Sequence, residues 1–95
     1  MESSRAVEVL GALAQEARLG IFRALVVAGP DGLAAGELAS RLDIAPATLS
    51  FHLKELRHAG LVHAESRGRA RIYRPEFGAV REIAAFLLED CCRGC

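Results

Sequence analysis

The sequence contains no tryptophan, one tyrosine and, before residue 91, no cysteine. Each shortage removes a class of protein. Cysteines confined to residues 91–95 exclude a disulfide framework and point instead to thiols or metal ligands. No stretch approaches the roughly 20 apolar residues of a membrane span. The opening "MESSRAVEVLGALAQE" has no basic leader and breaks its apolar run at Glu8 and Gln15. No signal peptide is therefore expected, and the predicted location is cytoplasmic. Five aromatics stand against 52% hydrophobic residues, an Ala-, Leu- and Val-rich balance that favours helices packed on helices. A chain of 95 residues makes a single domain, 1–95, that buries only about 60–65% of its unfolded surface. Some of its apolar surface is thus available to a partner chain.

Net charge is also missing: 12 basic and 12 acidic side chains cancel. The zero hides an uneven distribution. Residues 46–75 hold Lys54, Arg57, Arg67, Arg69, Arg71 and Arg74 against Glu55 and Glu65, a net of +4, while residues 1–45 and 76–95 each sum to −2. A local basic stripe of this kind is the electrostatic footprint of phosphate binding, although a solvated charged face has the same composition.

Apolar periodicity predicts a helix over 4–14 (Val7, Leu10, Leu13, Ala14). A second covers 16–28, with Leu19, Phe22 and Val26 on one line and Ile21 and Leu25 on the next. "AGPDG" ends it. Residues 34–42 form a third helix with Leu38 and Leu42 inward. "DIA" is a three-residue turn, and Pro46 opens a fourth helix, about 46–59, carrying Leu49, Leu53 and Leu56. Gly60 stops it. The period then changes to two. Strands at 61–66 and 69–74 flank Arg67-Gly68, making a hairpin over about 61–75, and a last helix covers 76–90. The predicted fold is mainly α with a small β-hairpin, in the order α-α-α-α-β-β-α: a winged helix-turn-helix.

Two helices joined by a three-residue turn, the second polar on its outer face, are a DNA-reading arrangement. Once the leucines of 46–59 turn inward, Ala47, Thr48, Ser50, Phe51, His52 and Lys54 remain on or near the opposite side. Hydroxyls and an imidazole can meet a base or a phosphate, and Ala47 can touch a thymine methyl. Strand alternation places Arg67, Arg69 and Arg71 on one side of the hairpin, where they suit a minor groove or its phosphates. Catalysis finds no support. Ser50 and His52 are two residues apart on a helix and do not face each other. There is no glycine-rich phosphate loop, metalloprotease motif or carboxylate pair.

"ALAQEARLGIFRAL" (12–25), "ATLSFHLKELRHAGLV" (47–62) and the "RGRARIYR" wing together resemble the ArsR/SmtB family of bacterial metal-sensing repressors. The resemblance implies a homodimer joined through its first and last helices. Val7, Leu10, Phe77, Val80, Ile83, Ala84 and Leu87 would line that interface, since the last helix holds more apolar residues than one buried stripe needs. It also implies that the apo dimer binds double-stranded operator DNA and lets go when a toxic metal or metalloid binds. The chain departs from the family pattern in three places. Ala45 and Pro46 stand where many members have Ser and Gln. "AAGELASRL" lacks the Cys-Val-Cys motif of the arsenic and cadmium sensors, and the last helix lacks the zinc sensors' ligand pairs.

The remaining soft ligands are Cys91, Cys92 and Cys95. Three sulfurs fall one short of the usual tetrahedral zinc set and suit a three-coordinate pyramidal centre, trivalent arsenic or antimony. Glu89, Asp90 and the preceding helix end disfavour thiolates. Arsenous acid, which is neutral and condenses with thiols by losing water, tolerates that setting. A subset of ArsR-type repressors resembles this chain in placing a Cys-Cys pair and a third Cys at the end of the last helix. Sensing of another soft metal, a redox switch and an effector-free DNA-binding module remain the alternatives.

Overall fold

The computed structural model describes residues 1–94, so Cys95 lies outside the described residues. The elements are α1 (Ser3–Leu13), α2 (Glu16–Ala28), β1 (Leu33–Ala34), α3 (Ala35–Leu42), α4 (Pro46–His58), β2 (Val62–Arg67), β3 (Ala70–Pro75) and α5 (Phe77–Leu88). The expected order therefore holds with one addition. The short strand β1 precedes α3 and pairs with β3, giving a three-stranded antiparallel sheet in the order β1-β3-β2. Two residues are too few for a period-two signal, and β1 exists because β3 offers it an edge.

Local chemistry sets the helix ends. The Gln15 carboxamide accepts from the Arg18 N–H at 2.8 Å at the start of α2. The Glu37 carboxylate accepts from the Ala34 N–H at 3.2 Å as α3 begins. Asp43 closes α3 in the left-handed region at φ 53°, a conformation that Asp tolerates better than most residues. Ala45 offers no side-chain cap to α4, which starts directly on Pro46. The far end of α4 is tied more firmly. The Gly60 N–H reaches the Arg57 carbonyl at 2.9 Å and the Leu61 N–H reaches that of Leu56 at 3.0 Å. This is a Schellman closure, with Gly60 at φ 75° and Leu56 and Leu61 both buried.

One core unites these pieces. Val9, Ile21, Leu25, Leu38, Leu49, Leu53, Leu56 and Leu61 are essentially withdrawn from water. That core sorts the apolar residues of α1, α2 and α5. The inward face of α1 is Ala6, Val9 and Ala12, so Val7 is 68% exposed and Leu10 stands at the surface. On α2, Ile21, Phe22 and Leu25 point in, while Leu19 and Val26 point out. On α5, Ile83 is 7% exposed and belongs to this chain's own core rather than to a free dimer face. Val80 is partly buried against the same core, Phe77 is half-buried, and Ala84, Leu87 and Leu88 are exposed. Small alanines let α1 approach closely, and the larger Val7 and Leu10 are left on its outer side.

The sheet is anchored at one base. The Arg74 guanidinium donates from Nε to the Pro30 carbonyl at 3.0 Å and from Nη1 to the Glu65 carboxylate at 2.6 Å. Beside it Gly32 holds φ 72°, and a Cβ there would collide with the Tyr73 carbonyl oxygen and lie 2.8 Å from Arg74 Cγ. Gly68 at the hairpin tip also has a positive φ but faces open space. Gly32→Ala is expected to cost more stability than Gly68→Ala, which carries only the backbone strain of about 1–3 kcal/mol. Urea unfolding of the two variants measures the difference.

Candidate nucleic-acid interface

α3 and α4 are separated by three residues, Asp43, Ile44 and Ala45. Ile44 of this turn packs against the core. The side of α4 that faces inward carries Leu49, His52, Leu53 and Leu56. Helical spacing then puts Ala47, Ser50, Phe51 and Lys54 (i, i+3, i+4, i+7) on the opposite face, all exposed, with Thr48 exposed at its flank. Five of the six α4 residues expected at the surface are there.

His52 is not. It is 8% exposed, and its Nδ1 accepts from Arg18 Nε of α2 at 3.2 Å. The reason is positional: residue 52 lies between Leu49 and Leu53 on the buried stripe, and a polar side chain can stay there only with a partner. Arg18 supplies it. Sequence reasoning set the imidazole with its polar neighbours, whereas the 49/52/53/56 spacing held the contrary signal. Arg18 was itself missed, being an isolated arginine on another helix.

The wing also differs from expectation. Arg67 pairs across the hairpin with Ala70, and Ser66 with Arg71. Cross-strand partners share a face and successive residues alternate, so Arg67 and Arg71 lie on opposite faces. Arg69 sits in the two-residue turn. The turn interrupts the alternation that would have aligned all three. Arg71 places its guanidinium 5.8 Å from the Tyr73 ring centroid, and Arg67 is 4.0 Å from Glu65. Within the described residues no carboxylate pairs with Lys54, Arg57, Arg69 or Arg71. Arg74, by contrast, is spent on Glu65 and Pro30. The free cations of the stripe therefore gather on the outside of α4 and at the tip of the wing.

Cys91 and Cys92 follow the end of α5, outside α4 and the wing. α5 ends at Leu88, and residues 89–94 form turns, with Asp90 at φ 61° and Cys92 at φ 67°. This corrects the expected helix over 76–90. Cys91 and Cys92 are exposed, with their sulfurs 3.0 Å apart. Among the described residues no group of three His, Cys, Asp or Glu side chains is placed to hold a metal ion. The third expected ligand, Cys95, falls outside them.

A tri-helical core, a three-residue turn before an outward-facing helix and an arginine-tipped hairpin define a winged helix-turn-helix module. The chain belongs to the helix-turn-helix domain family, whose match covers residues 13–65. Its structural neighbours include ArsR-family winged-helix regulators. It is similar to the transcriptional activator HlyU of Vibrio cholerae, at 39% identity over 75% of this chain and 63% of HlyU. The solved HlyU structure superposes with a TM-score of 0.75 at 34% identity, covering 97% of this chain and 99% of that one. A candidate arsenical resistance operon repressor (ArsR) of Halobacterium salinarum is 40% identical over 70% of this chain and 51% of its own length. The homodimeric winged helix-turn-helix DNA-binding domain of Mb0332 from Mycobacterium bovis superposes with a TM-score of 0.75 at 27% identity, covering 90% of this chain and 77% of that one. The chain thus spans about half to two thirds of the length of the curated relatives it matches. These relatives are regulators of transcription rather than enzymes.

His52→Ala would empty a site between α2 and α4 and strand Arg18 Nε. It is expected to lower stability by about 1–3 kcal/mol, whereas Ser50→Ala on the outer face stays within about 0.5 kcal/mol of wild type. Denaturant unfolding of both variants checks the contrast.

Proposed function

We propose that this chain is a cytoplasmic, homodimeric transcriptional repressor that binds operator DNA and is released by trivalent arsenic. The observation that carries the DNA reading is the exposed Ala47, Ser50, Phe51 and Lys54 face of α4, adjoined by Thr48 and by the unpaired cations of the wing. Two such heads in one dimer would enter successive major grooves about one helical turn apart. Thr48, Ser50 and Phe51 would face base edges, while Lys54, Arg67, Arg69 and Arg71 would meet phosphates or the minor groove. The dimer would form through the exposed sides of α1 and α5, where Val7, Leu10, Ala84 and Leu87 lie, with Phe77 and Val80 at its margin. α1 and α5 pack on each other within the chain, so one surface carries both exposed sides. Kinship with a homodimeric neighbour supports this assembly.

The effector site would be Cys91, Cys92 and Cys95. Its support is the 3.0 Å approach of the Cys91 and Cys92 sulfurs on an exposed turn, together with the match of a three-thiol set to a pyramidal metalloid. Each thiol would replace one hydroxide of arsenous acid, its proton leaving with that hydroxide as water, so three thiols release three waters without oxidation or reduction. Antimony would bind in the same way. The turn follows α5 directly, so tightening it would shift the dimer surface and the spacing of the two heads. A coupling of about 1–3 kcal/mol corresponds to roughly 5–150-fold weaker DNA binding.

Two measurements test the reading. Arg69→Ala and Lys54→Ala are each expected to reduce the slope of log affinity against log salt by about one if each contacts a phosphate. Arg74→Ala should instead lower stability. In the second, arsenite is titrated into the reduced protein on a labelled operator duplex while anisotropy is followed. Anisotropy should fall for wild type and hold for Cys95→Ser. A wild-type complex that ignores arsenite, cadmium and zinc alike would identify an effector-free module.

A further inference from the structure

Arg18 of α2 meets two neighbouring side chains of α4, the buried His52 and the exposed Phe51. Its Nε donates to His52 Nδ1 at 3.2 Å. Its guanidinium carbon lies 5.6 Å from the centroid of the Phe51 ring, within the range of a cation–ring contact. The Phe51 and His52 rings are themselves 5.5 Å apart and tilted by 59°. Phe51 is 54% exposed, and without these neighbours its ring would sample several rotamers on the outside of the helix. The hydrogen bond to a buried imidazole fixes where the guanidinium sits. The guanidinium in turn lies within reach of the Phe51 ring and favours one orientation of it. Arg18 also lines a cleft of about 340 Å³ together with Glu8, Glu55 and His58.

We infer that Arg18 is a positioning residue for sequence readout: through Phe51 it presents one rigid apolar surface to a base, the 5-methyl of thymine being the group in the major groove that such a ring can recognise. The inference deepens the DNA-binding role proposed above and rests on it. It assigns Arg18 no phosphate contact. It also gives the buried His52 a place in recognition, as the fixed point against which the arginine is set.

The test uses the full chain and a duplex enriched by the wild-type protein from a random-sequence pool, with a scrambled duplex of the same composition as reference. Anisotropy gives the affinity ratio of the two at several salt concentrations. Arg18→Lys keeps the charge but loses the planar guanidinium and the Nε–H donor. The ratio should fall roughly two- to fivefold, the size of one exposed cation–ring contact, with the salt slope unchanged. Phe51→Leu leaves α2 intact and should lose at least as much discrimination. Adding Arg18→Lys to Phe51→Leu should lose nothing more, because the arginine acts through the ring. An unchanged ratio in Arg18→Lys, a slope shallower by about one, or an equal further loss in the double variant each overturns the inference while leaving DNA binding in place. A wild type that enriches no duplex and binds none in a salt-dependent way overturns the DNA reading, and the inference with it.

Discussion

The packing of α2 against α4 is the contact from which the rest of the surface follows. Ile21, Phe22 and Leu25 on one helix and Leu49, Leu53 and Leu56 on the other are buried in a single cluster. Each large side chain so removed from water stabilises the fold by about 1.5–3 kcal/mol, far more than any surface ion pair present. α4 has only one orientation in which all three of its leucines stay inside. That orientation dictates which residues stand outside, and it leaves His52 within the seam. The reading face is in this sense the remainder of a packing problem.

The same reasoning explains what the sequence could reveal. Five helices, the turn between α3 and α4, the Pro46 start, the Gly60 stop and the hairpin were all legible, because each rests on local rules: apolar period, proline, glycine and turn chemistry. The outward set on α4 was legible for five of six positions. The misses have one origin, which is that polarity was allowed to decide placement. His52 is polar yet buried, because Arg18 reaches it from 34 positions earlier. Leu19 and Val26 are apolar yet exposed, because Ile21, Phe22 and Leu25 already fill the interior, while the exposure of Val7 and Leu10 agrees with the dimer face expected for them. Ile83, expected on the dimer face, is instead part of this chain's own core. The 49/52/53/56 spacing carried the burial of His52, but a partner 34 positions away leaves no periodic trace.

Charge tells a similar story on the wing. Six basic residues between 46 and 75 suggested one continuous stripe. Folding divides them. Arg74 becomes an internal strut between β3, Glu65 and the turn at Pro30, while Arg69 projects from the tip. The His63 imidazole meets the Glu76 carboxylate on the outer face of the hairpin, an ion pair only when the histidine is protonated. Net charge along a sequence therefore overstates what is available to a phosphate. The usable fraction is set by which cations the fold has already engaged.

The strut has a mechanical meaning as well. A hairpin gripped at its root by Arg74 and by the close approach of the chain at Gly32, with Gly68 facing open space and Arg69 exposed at its far end, behaves as a cantilever. Stiffness is concentrated at the clamp and compliance at the free end. Such a beam bends under small loads without disturbing its support. The arginines near its end can therefore follow grooves of differing width while the helix beside them holds its register, and the two halves of the surface adapt on different scales.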